Sequence, residues 1–172
     1  IGGSVQGEEL SLSGKVTTFS GPSAGTTTSG DTDNTTPSNA RFGGPIGMAS
    51  DGTYFYVAEW NNHKIRKVTI SSGAVTTFAG PSAGTTTSGD SDNTTPSNAR
   101  FYGPIGITTD NGTNLYVTDA RNNKIRKIVI DNGTVTTFAG PPAGTTTSGD
   151  TDNATSSNAR FSRPYGITTD GT

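Results

Sequence analysis

The chain has 172 residues, a formal net charge of −2 and no cysteine, with 28% hydrophobic and 15% charged residues. No run approaches the ~18–20 apolar residues of a spanning helix, and 24 Gly and 9 Pro, among abundant Thr and Ser, argue against a helical bundle. The missing cysteines exclude disulfides, thiol catalysis and cysteine-bound zinc, and the acidic balance offers nothing to a polyanion, so nucleic acid is not an expected partner.

So apolar-poor a composition belongs to disordered chains, but the order of the residues overrides it. Ala40-Arg41-Phe42 returns as Ala99-Arg100-Phe101 and as Ala159-Arg160-Phe161, and Val16-Thr17-Thr18-Phe19 returns at 75–78 and 135–138. From Gly21 to Phe42 the first two copies differ only at Thr32 and Ser91. The second copy is one residue longer through Asn111, inserted after Asp110.

Along the chain, the segment 1–13 carries Leu10 and Leu12 in alternation over Val5–Ser13, an extra strand that can stand in for a third strand. Residues 14–41 hold an outer strand, Lys15–Ser20, and a long loop. The unit 42–100 predicts strands at Pro45–Ser50, Tyr54–Trp60, His63–Ile70 and Ala74–Ala79, separated by turns at Asp51-Gly52-Thr53, Asn61-Asn62 and Ser71-Ser72-Gly73. The Asn pair is the turn's expected positive-φ element. The unit 101–160 repeats this at Ile105–Thr109, Asn114–Ala120, Lys124–Ile130 and Thr134–Ala139. Residues 161–172 hold one inner strand, Pro164–Thr169. The chain opens on Ile1 with no signal-like apolar segment, which suggests a processed or excised piece.

Four short antiparallel strands per repeat, in repeats longer than ~40 residues, is the arithmetic of a propeller blade. The expected fold is therefore all-β: two complete four-stranded blades and two partial ones. A single sheet of this kind cannot cover both its faces, so sister blades must stack on it. Ala99-Arg100-Phe101-Tyr102-Gly103-Pro104-Ile105-Gly106-Ile107, Leu115-Tyr116-Val117-Thr118-Asp119, Lys124-Ile125-Arg126-Lys127 and Val135-Thr136-Thr137-Phe138 together resemble the NHL repeat. The resemblance runs from Lys15 to Thr172. It implies a ring usually of six blades, often in bacterial surface proteins or in ligand- and protein-binding modules. Glu59, where the second copy has Asp119, and the long Thr-rich loop depart from the family pattern.

Several groups invite a chemical reading. Asp90, Asp92 and Asn93, with their counterparts in the other loops, place oxygens at alternate positions and are weak Ca²⁺ candidates, although the EF-hand glycine and glutamate are missing. The alternative is that they shape a turn. The triplets Thr26, Thr27, Thr28, then Thr85, Thr86, Thr87, then Thr145, Thr146, Thr147 are candidate glycan acceptors in an exported protein, and Asn-X-Thr sequons begin at Asn34, Asn93, Asn111, Asn132 and Asn153. Lys64-Ile65-Arg66-Lys67 and its copy at 124–127 are read as structural, their charged heads meeting Glu59 and Asp119 across the turn. Arg41, Phe42, Arg100, Phe101, Arg160 and Phe161 also read as structural, each Phe packing between sheets. His63 is the sole histidine and decorates a turn; Trp60 is read as a half-buried residue between blades.

These readings converge on a non-catalytic scaffold or interaction module of an exported or cell-surface protein, without cofactor, joined to further repeats or to copies of itself, with protein or glycan partners and no membrane span. The competing reading is a small-ligand-binding or lyase- or lactonase-like propeller whose central channel is lined by first-strand residues such as Met48, Thr108 and Thr168.

Overall fold

The computed structural model describes residues 16–170. Two sheets form, each of four antiparallel strands in sequential order. The first holds β1 (Pro45–Ser50), β2 (Tyr54–Glu59), β3 (Lys64–Thr69) and β4 (Val75–Ala79); the second holds β5 (Pro104–Thr109), β6 (Asn114–Asp119), β7 (Lys124–Val129) and β8 (Val135–Ala139). These are the eight strands expected of two complete blades, with ends moved by one residue where a turn claims the terminal position. β-branched and aromatic residues are frequent in β2, β4, β6 and β8, as suits a pleated surface.

The turns work through side-chain oxygens. Asp51 accepts from the amides of Thr53 and Tyr54, an Asx turn that brings β2 back along β1. At the β2–β3 turn the left-handed residue is His63 (φ 55°), and in the second blade Asn123 (φ 56°). In the first blade the positive φ therefore falls one residue after the Asn61-Asn62 pair, whereas in the second it falls on Asn123, the second residue of the expected Asn122-Asn123 pair. Asn62 and Asn122 are instead buried, where their amides bind the loop.

One core runs through both blades. Tyr56, Ala58 and Ile65 from the first meet Ile107, Leu115 and Val117 from the second, with Phe101 buried among them. The inner strands approach so closely that a methyl on Gly47 would strike the carbonyl oxygen of Ile105. Gly106 stands in the same relation to the carbonyl of Tyr165. Glycine is required at both positions because nothing larger fits between two inner strands at this separation.

Two expected strands are not formed. Residues 16–20 of the outer strand predicted over Lys15–Ser20 make no ladder, although Phe19 packs edge-on against Phe55 (5.8 Å) and Ser20 donates to the carbonyl of Gly73 (2.6 Å). The segment 164–169 lies against the second blade, where Thr118 donates to the carbonyl of Tyr165 (2.9 Å), but it forms no strand. A strand is defined by its partner's hydrogen bonds, and neither segment has a partner strand among the described residues. The strand expected at Val5–Ser13 lies outside the described residues.

Candidate functional site

The long loops are where this chain differs most from a bare pair of blades, and its buried charges lie beneath them. On β3, Lys64 and Arg66 are two residues apart and point to the same face; their side chains are fully buried. In the loop before that blade, Asp31 and Asp33 have the same spacing along an extended segment that bridges to Arg41 through Thr32. The two alternations mesh. Lys64 Nζ lies 2.6 Å from Asp31, and Arg66 Nη2 lies 2.6 Å from Asp33. Arg66 Nη1 donates to the carbonyl of Arg41 and to Glu59 (3.0 and 3.3 Å). Asp33 also accepts from the amide of Thr77 on β4 (2.8 Å), so the loop is tied to the sheet's outer edge as well as to its interior.

The second blade repeats the arrangement. Lys124 meets Asp90 (2.7 Å), and Arg126 meets both Asp92 (2.7 Å) and Asp119 (2.9 Å). The amide of Thr137 donates to Asp92 (2.8 Å). Asn122 donates to Asp119 and to the carbonyl of Gly89, closing a path from turn to loop. Below each arginine lies the phenylalanine that opens the blade: the guanidinium carbon of Arg66 is 5.2 Å from the ring centre of Phe42, and that of Arg126 is 5.1 Å from Phe101. Ions so deeply buried are tolerable only when paired and hydrogen-bonded.

These contacts clasp each loop to the blade that follows it. The pairing of Arg66 with Glu59 and of Arg126 with Asp119 is as expected from the sequence. The contribution of the loop carboxylates was not anticipated. The signal was present as two acids spaced by two residues and two bases spaced by two, but about thirty residues separate them. The weak calcium candidates are placed accordingly: Asp90 lies on Lys124, Asp92 on Arg126 and Thr137, and the Asn93 side chain accepts from the amide of Thr95 (2.9 Å). Their oxygens address three different sets of partners. Among the described residues no group of three or more His, Asp or Glu is gathered as a metal site.

Burial shapes the ionisation of the two innermost acids. It pushes Asp119 up to about 6, against the opposing pull of Arg126, Asn122 and the Tyr102 amide. Glu59 is raised for the same reason, with Arg66 again opposing.

The remaining candidates are distributed as follows. The nine threonines are exposed on the loops. Each loop also touches the next, the amide of Gly84 donating to the carbonyl of Asp31 and that of Gly144 to the carbonyl of Asp90 (3.1 and 3.2 Å). Arg41, Arg100 and Arg160 each donate to carbonyls just upstream in their own loop. Of the channel candidates, Thr108 and Thr168 share a cleft of about 660 Å³ with Tyr116, Phe138, Phe161 and Ile167. Met48 lies apart, 61% exposed, in a cleft beside Phe19, Phe42 and Phe55. His63 accepts from the amide of Gly103 through Nδ1 (3.2 Å), and so holds the second blade's lead-in as well as decorating its turn.

Four-stranded antiparallel sheets, stacked through their inner strands and repeated along one chain, define this protein as a β-propeller. No family model matches it. NHL repeat-containing protein 2 of Homo sapiens is 32% identical over 145 residues, which is 78% of this chain but 19% of that protein. A Bacteroides thetaiotaomicron protein of unknown function superimposes with a TM-score of 0.58 at 31% identity, over 69% of this chain and 28% of the other. An auxiliary nutrient binding protein from the same species gives 0.53 at 25% identity, over 68% and 30%. The chain belongs to the NHL-repeat propellers, and it spans less than a third of the length of each of these relatives.

Proposed function

We propose that the chain is a non-catalytic scaffold segment of an exported or cell-surface bacterial protein, whose blades accept further NHL repeats at either end. These repeats belong to a longer chain or to other copies, and the full ring has six blades or extends head to tail. The observation that carries this reading is the third loop. Asp150 and Asp152 repeat the acids that hold Lys64 and Arg66 in one blade and Lys124 and Arg126 in the next, yet both are exposed. A methyl on Gly166, the counterpart of Gly47 and Gly106, would meet nothing within 4 Å. Both features match what a sister blade presents: a Lys-Ile-Arg strand for the acids and an inner-strand carbonyl against the glycine.

At the other end Ile46 and Met48 of β1 are more than half exposed, although β5, the equivalent strand, is largely covered. Two blade faces that the described residues leave uncovered favour association. The exposed threonines suit glycan attachment in an extracellular setting. Light scattering across a concentration series tests the assembly: species above 17.6 kDa that grow with concentration are expected, and a monomer at every concentration rejects self-association.

A second reading, a small-ligand-binding or lyase- or lactonase-like propeller with its site in the central channel, draws on the similarity to the auxiliary nutrient binding protein and on the cleft between Thr108 and Thr168.

A further inference from the structure

The junction between the blades carries a cluster that neither the clasp nor the stacking of sheets requires. Trp60 closes β2, Tyr102 leads into β5, and Arg121 sits in the β6–β7 turn. The Arg121 guanidinium carbon lies 4.5 Å from the centre of the Trp60 ring and 4.9 Å from that of Tyr102. His63 meets Tyr102 edge-on at 5.3 Å. The backbone beneath is tight: Gly103 (φ 62°) lies so close to Trp60 that a methyl there would touch the indole. None of the three stacked residues recurs at its equivalent position, where the other copies have Ala120 for Trp60, Asn61 for Arg121, and Gly43 and Ser162 for Tyr102. Three departures from the repeat thus meet at one place.

The chemistry of the cluster is selective. Arg66 and Arg126 are buried and matched to carboxylates, whereas Arg121 is exposed and forms no ion pair among the described residues. Stacking on two rings fixes the plane of the guanidinium and lowers the entropic cost of using its fork of N–H donors, which matches a carboxylate in shape and charge. His63 adds no competing acceptor. Its Nδ1 takes the Gly103 amide, so the neutral ring carries its proton on Nε2. Tyr102, with Arg121 over its ring and His63 against it, remains 37% exposed and brings aromatic surface beside the cation.

We propose that the Trp60–Tyr102–Arg121 stack binds a small aromatic carboxylate, the acid on the Arg121 guanidinium and the ring against Tyr102. The site stands apart from the scaffold reading and holds whether or not the blades associate. Trp60 is the chain's single tryptophan, so its fluorescence reports on this junction alone.

Benzoate titrated at constant ionic strength is expected to change Trp60 emission saturably, while benzamide, which has the ring without the charge, leaves it unchanged. Arg121→Gln should weaken benzoate about tenfold or more, as befits the loss of a charge-assisted pair. Arg121→Lys should also weaken it, because an ammonium lacks the planar fork. An equal response to benzamide, an unchanged benzoate affinity in Arg121→Gln, or no saturable change with benzoate overturns the proposal. Should Arg121→Gln fail to fold, Tyr102→Ser, which installs the residue of the third copy, takes its place: reduced affinity supports the site and unaltered affinity overturns it.

Discussion

Arg126 shows what the clasp demands of a single residue. Its guanidinium is fully buried and binds Asp119, Asp92 and the carbonyls of Arg100 and Ser91. Replacing it with Met keeps much of the volume but strands Asp119 in the interior without its cation. Removing one partner of a buried pair typically costs about 3–5 kcal/mol, and Arg126→Met is expected to lower stability to urea by that order. Asp119 itself sets a pH dependence. Its folded-state pKa, raised by burial to about 6, exceeds the ordinary carboxylate value. The contribution of this group is therefore complete below about pH 4 and declines as pH rises through about 6. Asp110 works in the opposite sense: burial alone would raise its pKa, but hydrogen bonds from the Asn114 side chain and amide and from the Tyr116 hydroxyl hold it lower. Its contribution is lost as pH falls below the ordinary carboxylate range. Denaturation midpoints measured from pH 3 to pH 8 should show both trends, and Asp119→Asn should diminish the upper one, leaving the share of Glu59, without altering the lower.

At the scale of elements, the inner strands govern how blades meet. Gly106 lies beneath the Tyr165 carbonyl and beside the Thr118 hydroxyl, which itself donates to that carbonyl (2.9 Å). A methyl at this position forces the two backbones apart, and overpacking of this kind costs about 1–3 kcal/mol. Gly106→Ala is therefore expected to destabilise the fold measurably, whereas Gly166→Ala, which meets nothing within 4 Å, should leave the melting temperature of the isolated chain unchanged. The outer edge is managed differently. β4 and β8 are each met by a loop through a bridge, Asn34 to Val75 and Asn93 to Val135. The loop covers hydrogen-bonding groups that would otherwise template pairing with another chain.

For the whole molecule, the proposed assembly depends on faces that resemble the interface already present between the blades. Electrostatics should register in it. If Asp150 and Asp152 receive the Lys-Ile-Arg strand of a sister repeat, Asp150→Asn with Asp152→Asn should reduce the fraction of chain in higher-mass species. Gly166→Ala should do the same while leaving the monomer folded. Sedimentation velocity of the three proteins at matched concentration distinguishes this from association through the exposed loops, which Gly166→Ala would not alter.

Sequence and structure divide the account unequally. Repetition at intervals of about sixty residues, the Asx turns and the β-branched runs are local signals, and from them the strands of both blades could be placed to within a residue. The pairing of Arg126 with Asp119 was also legible, because both residues lie in one repeat on either side of a single turn. Asp90 and Asp92 were not. Alternating acids in a loop suit a cation, a turn or a distant base equally well, and only the fold brings them to Lys124 and Arg126. The same holds for Trp60, Tyr102 and Arg121, which lie on three separate turns or lead-ins and meet only because one blade packs on the next. Periodicity and turn chemistry are carried by neighbours in the chain and can be read there; the matching of buried charges and the stacking of rings depend on distances that exist only after the sheets have come together.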